Sequence, residues 1–424
     1  MADKSSLYGL IGRKLGHSWS REIHERLGSS PYELWELEPE EVASFICKGT
    51  WKGINVTIPY KKNAAELADE QSARVMQLGV ANTLIRQSDG SIFAENTDVT
   101  GFGWMLEHFF KTRFDLSARD ALDSKEVLVL GTGGAAQAVS CALSGVGARV
   151  YFISRHGEDT YATLLERHSH ASLIVNTTPV GMYPNCPDSP LDATVLSEMN
   201  DLLGVLDVVY NPIRTGLILQ AERLNIPAES GLCMLVAQAV HASELFQGRQ
   251  LDESMIETIV HDLKTQTQNI SLIGMPGSGK TTAGRRLARL LGRPFVDLDD
   301  ACAVAAGMPV ADYITAHGEQ VFRKLETEIL ADYGKRSGLV IACGGGVVTQ
   351  PHNYELLRQN SFVVMLDRPL EELSLQGRPV SQAKGIEQLA HERMDLYRSW
   401  SDTILTCTGS PDGDANALMT LISS

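Results

Sequence analysis

The sequence predicts an α/β protein built in two parts, and three observations carry that prediction. Apolar runs of five to seven residues, several of them apolar almost throughout, alternate with helix-like stretches, as parallel strands covered on both faces do. Two glycine-rich loops, at 131–134 and 274–280, each stand between such a run and a helical pattern. The 424 residues leave room for two or three domains at roughly 100–200 residues each.

Composition narrows the class. Apolar residues make up 43% and charged residues 21%, which excludes disordered and collagen-like chains. No apolar run approaches the ~18 residues of a membrane span. The opening MADKSSLYGL leads into a strand pattern without the apolar stretch of a signal peptide. The seven cysteines (47, 141, 186, 233, 302, 343 and 407) are scattered, with no C-x-x-C. That spacing predicts reduced thiols in a cytosolic protein, with neither disulfides nor a zinc site. A net charge of −15, from 37 basic and 52 acidic residues, argues against non-specific binding of nucleic acid or anionic membranes. Anionic small molecules need only a few arginines or a helix N-terminus, and they stay in play.

Strands are expected at 6–11, 53–57, 126–130, 149–153, 172–176, 204–210, 270–274, 338–343 and 361–366. The polar stretch 264–269 (KTQTQN) is the most linker-like, and 112–124 is a second candidate boundary. Strand 126–130 runs into Gly131-Thr-Gly133-Gly134-Ala135 and a helix to about Ser144. This is a dinucleotide-binding pattern: glycines let the backbone approach a pyrophosphate, and the helix N-terminus offers it free N–H groups. The next strand ends at Ile153 and is followed by Ser154-Arg155. A carboxylate there would take a ribose 2′-OH, whereas an arginine accommodates a 2′-phosphate. Glu158 lies nearby, but Arg155 holds the place and points to NADP(H).

Upstream lie Gly16-His-Ser18-Trp-Ser20, Asn55-Val-Thr57-Ile-Pro-Tyr-Lys61-Lys62, Asn82-Thr83 and Asn96-Thr97-Asp98. Singly these are caps, turns and solvated charges. In order, and continued by Asn176-Thr-Thr-Pro-Val-Gly181-Met, Tyr210-Asn-Pro-x-x-Thr215 and Gly231-Leu-Cys-Met234-Leu-Val-Ala-Gln238, they resemble the shikimate dehydrogenases over about residues 6–250. The resemblance implies that Lys61 and Asp98 form a catalytic pair. It places Ser18, Ser20, Thr57, Asn82, Asp98 and Gln238 around the substrate's hydroxyls and carboxylate, with Tyr210 near the same pocket. Gly231 and Met234 would line the nicotinamide side, and Gly131, Gly133, Gly134, Ala135, Ser154 and Arg155 would hold the rest of NADP(H). Chemistry agrees, since ketone reduction needs a proton for the developing alkoxide, and a lysine ammonium oriented by a carboxylate can supply it.

The second loop, Gly274-Met-Pro-Gly277-Ser278-Gly279-Lys280-Thr281-Thr282, is a complete G-x-x-x-x-G-K-T pattern between a strand and a helix. Its backbone N–H groups cradle phosphates, Lys280 reaches the transferred one, and Thr281 can hold Mg²⁺. The loop says that a nucleoside triphosphate binds, not what accepts the phosphate. Phe295-Val-Asp297-Leu-Asp299, Phe322-Arg323-x-x-Glu326, Gly344-Gly345-Gly346 and Arg393-x-x-x-Tyr397 follow, and that series resembles the shikimate kinases over about 268–424. The resemblance gives Asp297 to the Mg²⁺ shell and Asp299 to the attacking hydroxyl. Arg323 and Arg393 would clamp a carboxylate, for which a guanidinium has bidentate geometry, with Gly345 and Gly346 against the ring. The family's lid usually carries two arginines; here Leu373-Ser-Leu-Gln-Gly-Arg378-Pro matches only the later one.

Together these resemblances imply a fusion with three parts. A substrate lobe would span 1–105, rejoined by a helix near 236–262. A Rossmann-like NADP lobe would span 106–235, and a P-loop kinase domain 268–424. The expected chemistry is reduction of 3-dehydroshikimate with NADPH, then phosphorylation of shikimate with ATP and Mg²⁺. Two alternatives are a kinase-like half that only binds ATP or shikimate as a regulatory module, and a first half that prefers quinate and NAD.

Overall fold

Apolar runs form the central strands, and polar interruptions set their ends. The computed structural model describes residues 7–16, 18–373 and 385–423. Three sheets organise them. In the first, β1 (Tyr8–Gly12), β2 (Tyr32–Glu36), β3 (Gly53–Val56), β4 (Glu70–Gln71), β5 (Thr83–Arg86) and β6 (Ile92–Glu95) lie in the order β2-β1-β3-β5-β6-β4. Strands β1, β2 and β3 pair parallel, and β5 pairs antiparallel with both β3 and β6. The second sheet is parallel throughout: β7 (Glu126–Leu130), β8 (Arg149–Ile153), β9 (Leu173–Asn176), β10 (Gly204–Asp207) and β11 (Ala228–Ser230), in the order β11-β10-β9-β7-β8. The third is also parallel: β12 (Asn269–Ile273), β13 (Phe295–Asp297), β14 (Val340–Ala342), β15 (Ser361–Asp367) and β16 (Thr403–Thr406), in the order β13-β14-β12-β15-β16.

This is the expected α/β architecture, with parallel sheets of the Rossmann and P-loop type. All nine expected strands form, β7 and β8 with the expected bounds and the others shifted or trimmed at their ends. Seven more were not anticipated: β2, β4, β5, β6, β11, β13 and β16. They are short and mostly half-buried, with polar residues interleaved (TLIR in β5, TILT in β16), so no continuous apolar run announces them. The long Thr97–Phe114 helix buries Phe102, Met105, Leu106, Phe109 and Phe110. The candidate boundary at 112–124 therefore opens on the end of this helix and runs through a second one, Ala118–Leu122. Among the described residues no helix is long and apolar enough to cross a membrane.

The chain divides into two compact units. One comprises Met1–Val180, Ser189–Tyr210 and Gln220–Asp262; the other comprises Gly181–Asp188, Asn211–Leu219 and Leu263–Ser424. The polar stretch 264–269 is therefore not a free tether. The Ser254–Thr267 helix runs through most of it and β12 begins at Asn269. Polar composition marked an exposed helical turn, not a flexible segment.

The second unit takes up two segments remote in sequence, and Arg214 pins one of them. Its backbone N–H donates to Gln359 O at 2.9 Å, and its guanidinium reaches Ser361 O at 3.1 Å and Asp402 Oδ1 at 3.1 Å. Asp402 also accepts from Arg358 at 2.8 Å and from the Val363 N–H at 2.8 Å. The three charged side chains are only 10–18% exposed. Breaking a buried ion network by deleting its one carboxylate costs about 3–5 kcal/mol. Asp402→Ala should therefore lower the stability of this unit by about that much in denaturant unfolding. A loss within the scatter of surface substitutions would show that the network does not hold the remote segment.

Candidate active sites

In the first unit, strand ends and helix starts bring polar side chains to one place. Lys61 opens the short Lys61–Glu66 helix just after β3, and Asp98 lies in the first turn of the Thr97–Phe114 helix just after β6. Their side chains meet with Nζ 2.6 Å from Oδ2. Both are mostly covered, at 21% and 14% exposed. Asn82 sets the other carboxylate oxygen, its Nδ2 donating to Asp98 Oδ1 at 2.9 Å. Asn82 is itself held by the Thr97 N–H, which donates to its Oδ1 at 2.7 Å. Thr97 Oγ1 lies 3.4 Å from Gln238 Oε1, so the Leu232–Gln247 helix joins the cluster. Lys61, Asn82, Asp98 and Gln238 are thus brought together.

The remaining substrate-side residues cluster less tightly. Ser18 Oγ donates to Ser20 Oγ at 3.0 Å. Between them, Trp19 packs its ring on Tyr210, with centroids 5.3 Å apart. Burial pushes the Tyr210 phenol above its ordinary value, so it stays protonated. Thr57 follows β3 with its N–H on Ile11 O at 2.9 Å; no hydrogen bond between its side chain and the Lys61–Asp98 pair is seen. Asn55 carries no expected role, yet it accepts from Tyr32 OH at 2.8 Å and donates to Thr83 at 3.2 Å. It braces the strand beneath Asn82. Its place in the Asn55-Val-Thr57 motif was the available signal.

Strand β7 delivers its last residue to a glycine turn and a helix, Gly134–Gly145, with Gly133 as N-cap. Nothing lies within 4 Å of where a Cβ would stand on Gly133 or Gly134, so no neighbouring atom crowds the start of this helix. Ala135 is half-buried in the first turn. Arg155 is exposed beyond the end of β8, with Ser154 bonded to the His156 carbonyl beside it. Glu158, the competing carboxylate, is paired with Arg167 at 2.9 Å. The residues fit a dinucleotide carrying a 2′-phosphate. Gly231 caps the helix that carries Met234, which is nearly buried at 8% exposed, and Gln238.

In the second unit, a cleft of about 670 Å³ is lined by Lys280, Thr281, Asp297, Asp299, Arg323 and Arg393, among others. Gly277, Ser278 and Gly279 form the loop before the Lys280–Leu291 helix, and Thr282 follows on its exposed first turn. The buried Lys280 ammonium donates to the carbonyls of Gly274 and Met275 at 2.9 and 3.0 Å. Thr281 Oγ1 donates to Asp297 Oδ2 at 2.7 Å. A hydroxyl and a carboxylate are the hard oxygen donors that suit Mg²⁺. The other oxygen of Asp297 caps the next helix through the Asp299 N–H at 3.0 Å.

Two arginines face the same cleft from different helices. Arg323 is fixed by Glu326 at 2.8 Å and Glu319 at 2.9 Å. Burial pushes the Glu326 carboxyl up, and the Arg323 guanidinium pulls it back. Arg393 donates to Gly345 O at 2.9 Å, and Tyr397 OH bonds the same carbonyl. A Cβ on Gly346 would lie 2.1 Å from Arg323 Cζ, so the arginine and the backbone share space that only glycine leaves free. Glu319 and Glu326 hold Arg323 in position; spacing of three and four residues on one helix was the signal for them. Arg378, expected on the lid, lies outside the described residues.

Comparison with known proteins agrees with this geometry. The family described as shikimate dehydrogenase substrate binding domain matches residues 10–84, and the shikimate kinase family matches residues 276–423. The NADP(+)-dependent shikimate dehydrogenase of Clostridium beijerinckii is 34% identical over 269 residues, 59% of this chain and 95% of that protein. Among solved structures, a chorismate mutase/shikimate 5-dehydrogenase fusion from Clostridium acetobutylicum is 34% identical, with a TM-score of 0.54 over 61% of this chain and 97% of that one. A quinate dehydrogenase from Corynebacterium glutamicum in complex with NAD is 27% identical, with a TM-score of 0.52 over 60% and 98%. This chain belongs to the shikimate dehydrogenase family and carries a shikimate kinase domain after the dehydrogenase sequence.

Proposed function

We propose that this protein catalyses two consecutive steps, reducing 3-dehydroshikimate to shikimate with NADPH and then phosphorylating shikimate to shikimate 3-phosphate with ATP and Mg²⁺. One observation carries the first step. The Lys61–Asp98 pair, at 2.6 Å and largely out of solvent, couples a proton donor to the carboxylate that orients it. NADPH supplies the hydride. Lys61 stabilises the charge that develops on the carbonyl oxygen and delivers its proton there. Asp98 keeps the ammonium aimed, and Asn82 prevents the carboxylate from turning away. Ser18, Ser20, Thr57 and Gln238 hold the ring hydroxyls and carboxylate, with Tyr210 beside them.

For the second step, ATP and Mg²⁺ supply the transferable phosphoryl group and the charge that neutralises it. Thr281 and Asp297 hold the metal, and the 277–282 loop cradles the phosphates. Asp299 accepts the proton of the attacking hydroxyl. Arg323 and Arg393 hold the substrate carboxylate, which leaves one hydroxyl of the ring turned toward the loop. The product of the first site is the substrate of the second, which favours two working enzymes over a dehydrogenase with a regulatory module. The single lid arginine, Arg378, is the observation that keeps the module reading alive.

Pure protein given 3-dehydroshikimate, NADPH and MgATP should accumulate shikimate 3-phosphate; accumulation of shikimate alone would support the module instead. Lys61→Ala should cut ketone reduction by about 10²–10⁴-fold, the usual worth of a positioned proton donor, with shikimate phosphorylation kept. Reduction within a few-fold of wild type would remove Lys61 from the chemistry.

Lys280→Ala should abolish phosphoryl transfer, because it deletes the charge facing the β- and γ-phosphates. NADPH oxidation by 3-dehydroshikimate should survive that change, and a parallel loss would refute separate sites. NADPH should also be preferred over NADH, and Arg155→Ala should erode the preference through a raised KM for NADPH. Equal efficiency with both cofactors in the unmutated protein would favour the quinate-type, NAD-linked alternative.

A further inference from the structure

We propose that His108, Glu229 and Cys233 form a binding site for a divalent transition metal of the zinc class. The three residues come from the Thr97–Phe114 helix, strand β11 and the Leu232–Gln247 helix. One donor atom of each lies within 4.8 Å of the other two. His108 Nδ1 and Glu229 Oε1 are 3.5 Å apart, close to the separation of two ligands sharing a tetrahedral ion whose bonds are roughly 2.0–2.2 Å long.

The surroundings hold these groups in place. Trp104 stacks on the His108 ring, with centroids 4.8 Å apart and planes 13° from parallel, and its own Nε1 is tied to Glu253 at 2.6 Å. Cys233 is 5% exposed and the Glu229 side chain 13%. Glu229 Oε1 is buried and accepts no hydrogen bond among the described residues. A shielded carboxylate oxygen whose recorded partner is one imidazole 3.5 Å away, with a thiol sulfur within 4.8 Å, is placed to exchange that long contact for a bond to a shared cation.

The donor set selects the ion. A thiolate with an imidazole and one carboxylate oxygen suits Zn²⁺ and its neighbours, while Mg²⁺ and Ca²⁺ prefer oxygen alone. Three protein ligands leave a fourth position for water. Binding displaces the thiol proton. Such an ion would tie the helix that begins at Thr97 and Asp98 to the start of the helix that Gly231 caps and that carries Met234. It would act there as a staple, not as a participant in hydride transfer.

Metal-depleted full-length protein titrated with Co²⁺ tests the site directly. One equivalent should bind with a thiolate-to-cobalt charge-transfer band in the near ultraviolet, and Zn²⁺ should displace it. Cys233→Ser should abolish that band. His108→Ala should weaken binding by at least the roughly 10–100-fold that even an outer-shell loss costs. If Cys233→Ser proves unfolded by circular dichroism, Glu229→Gln provides the same comparison through affinity. The six other cysteines supply the control, because a band that persists in folded Cys233→Ser overturns the assignment. So does the absence of any band in the parent protein at millimolar Co²⁺. None of the three variants replaces a residue assigned to reduction, and cobalt binding is read without turnover, so this outcome is independent of the proposed function.

Discussion

Both nucleotide sites rest on one backbone constraint: a buried strand must stop and turn into a helix within a few residues. Gly131 after β7 has φ of +102°, and Gly274 after β12 has φ of +140°. Side-chain-bearing residues rarely adopt either conformation. A Cβ on Gly131 would stand 3.0 Å from Thr178, and one on Gly274 would stand 2.6 Å from the Leu366 carbonyl. The chain can therefore pass close to its neighbouring strand and still aim the next helix N-terminus outward. Each helix then offers unpaired N–H groups and the positive end of its dipole to a phosphate. Parallel pairing on both sides of β7 and β12 places that turn at the carboxyl edge of its sheet, where open α/β sheets bind ligands.

In each unit the charges of the candidate site are partly removed from water and paired. Lys61 with Asp98, and Arg323 with Glu326 and Glu319, follow the same logic. A charge kept in a partly dry site must be matched, or it loses its proton or its position. The match also sets direction. Asn82 takes one oxygen of Asp98 and leaves the other to Lys61, so the ammonium has one preferred orientation. The Tyr397 phenol, pushed up to about 12 by burial, stays a donor to Gly345 O and helps Arg393 pin the glycine run.

Much of this was legible before any coordinates. The two phosphate loops, the cofactor classes and the ordered motifs are statements about residues close together in the chain, and local backbone geometry demands them. The long apolar strands were equally plain. Strands β2, β5 and β6 were not, because antiparallel or edge strands of four or five residues with polar faces look like loops in sequence. The polar segment at 264–269 lies beside the boundary between the two units, which falls after Asp262, but it is a helix end and not a tether. A helix end and a tether share a composition, and only packing distinguishes them.

What the sequence determined by itself was chemistry carried on short spans: which glycines turn, which lysines follow a strand into a helix start, and that an arginine, not a carboxylate, follows Ser154 after the second strand of the parallel sheet. Tertiary structure alone decided which distant residues share a site. Gly181–Asp188 and Asn211–Leu219 fall in the second unit through contacts such as that of Arg214 with Asp402, 188 residues apart. Cysteine spacing gave no hint of metal binding, yet His108, Glu229 and Cys233 converge from three elements. Gln238 reaches Thr97 across 141 residues. Spacing in the chain records only what one turn or one strand can bring together. Convergence across sheets and helices depends on how buried faces pack, and no local pattern encodes that.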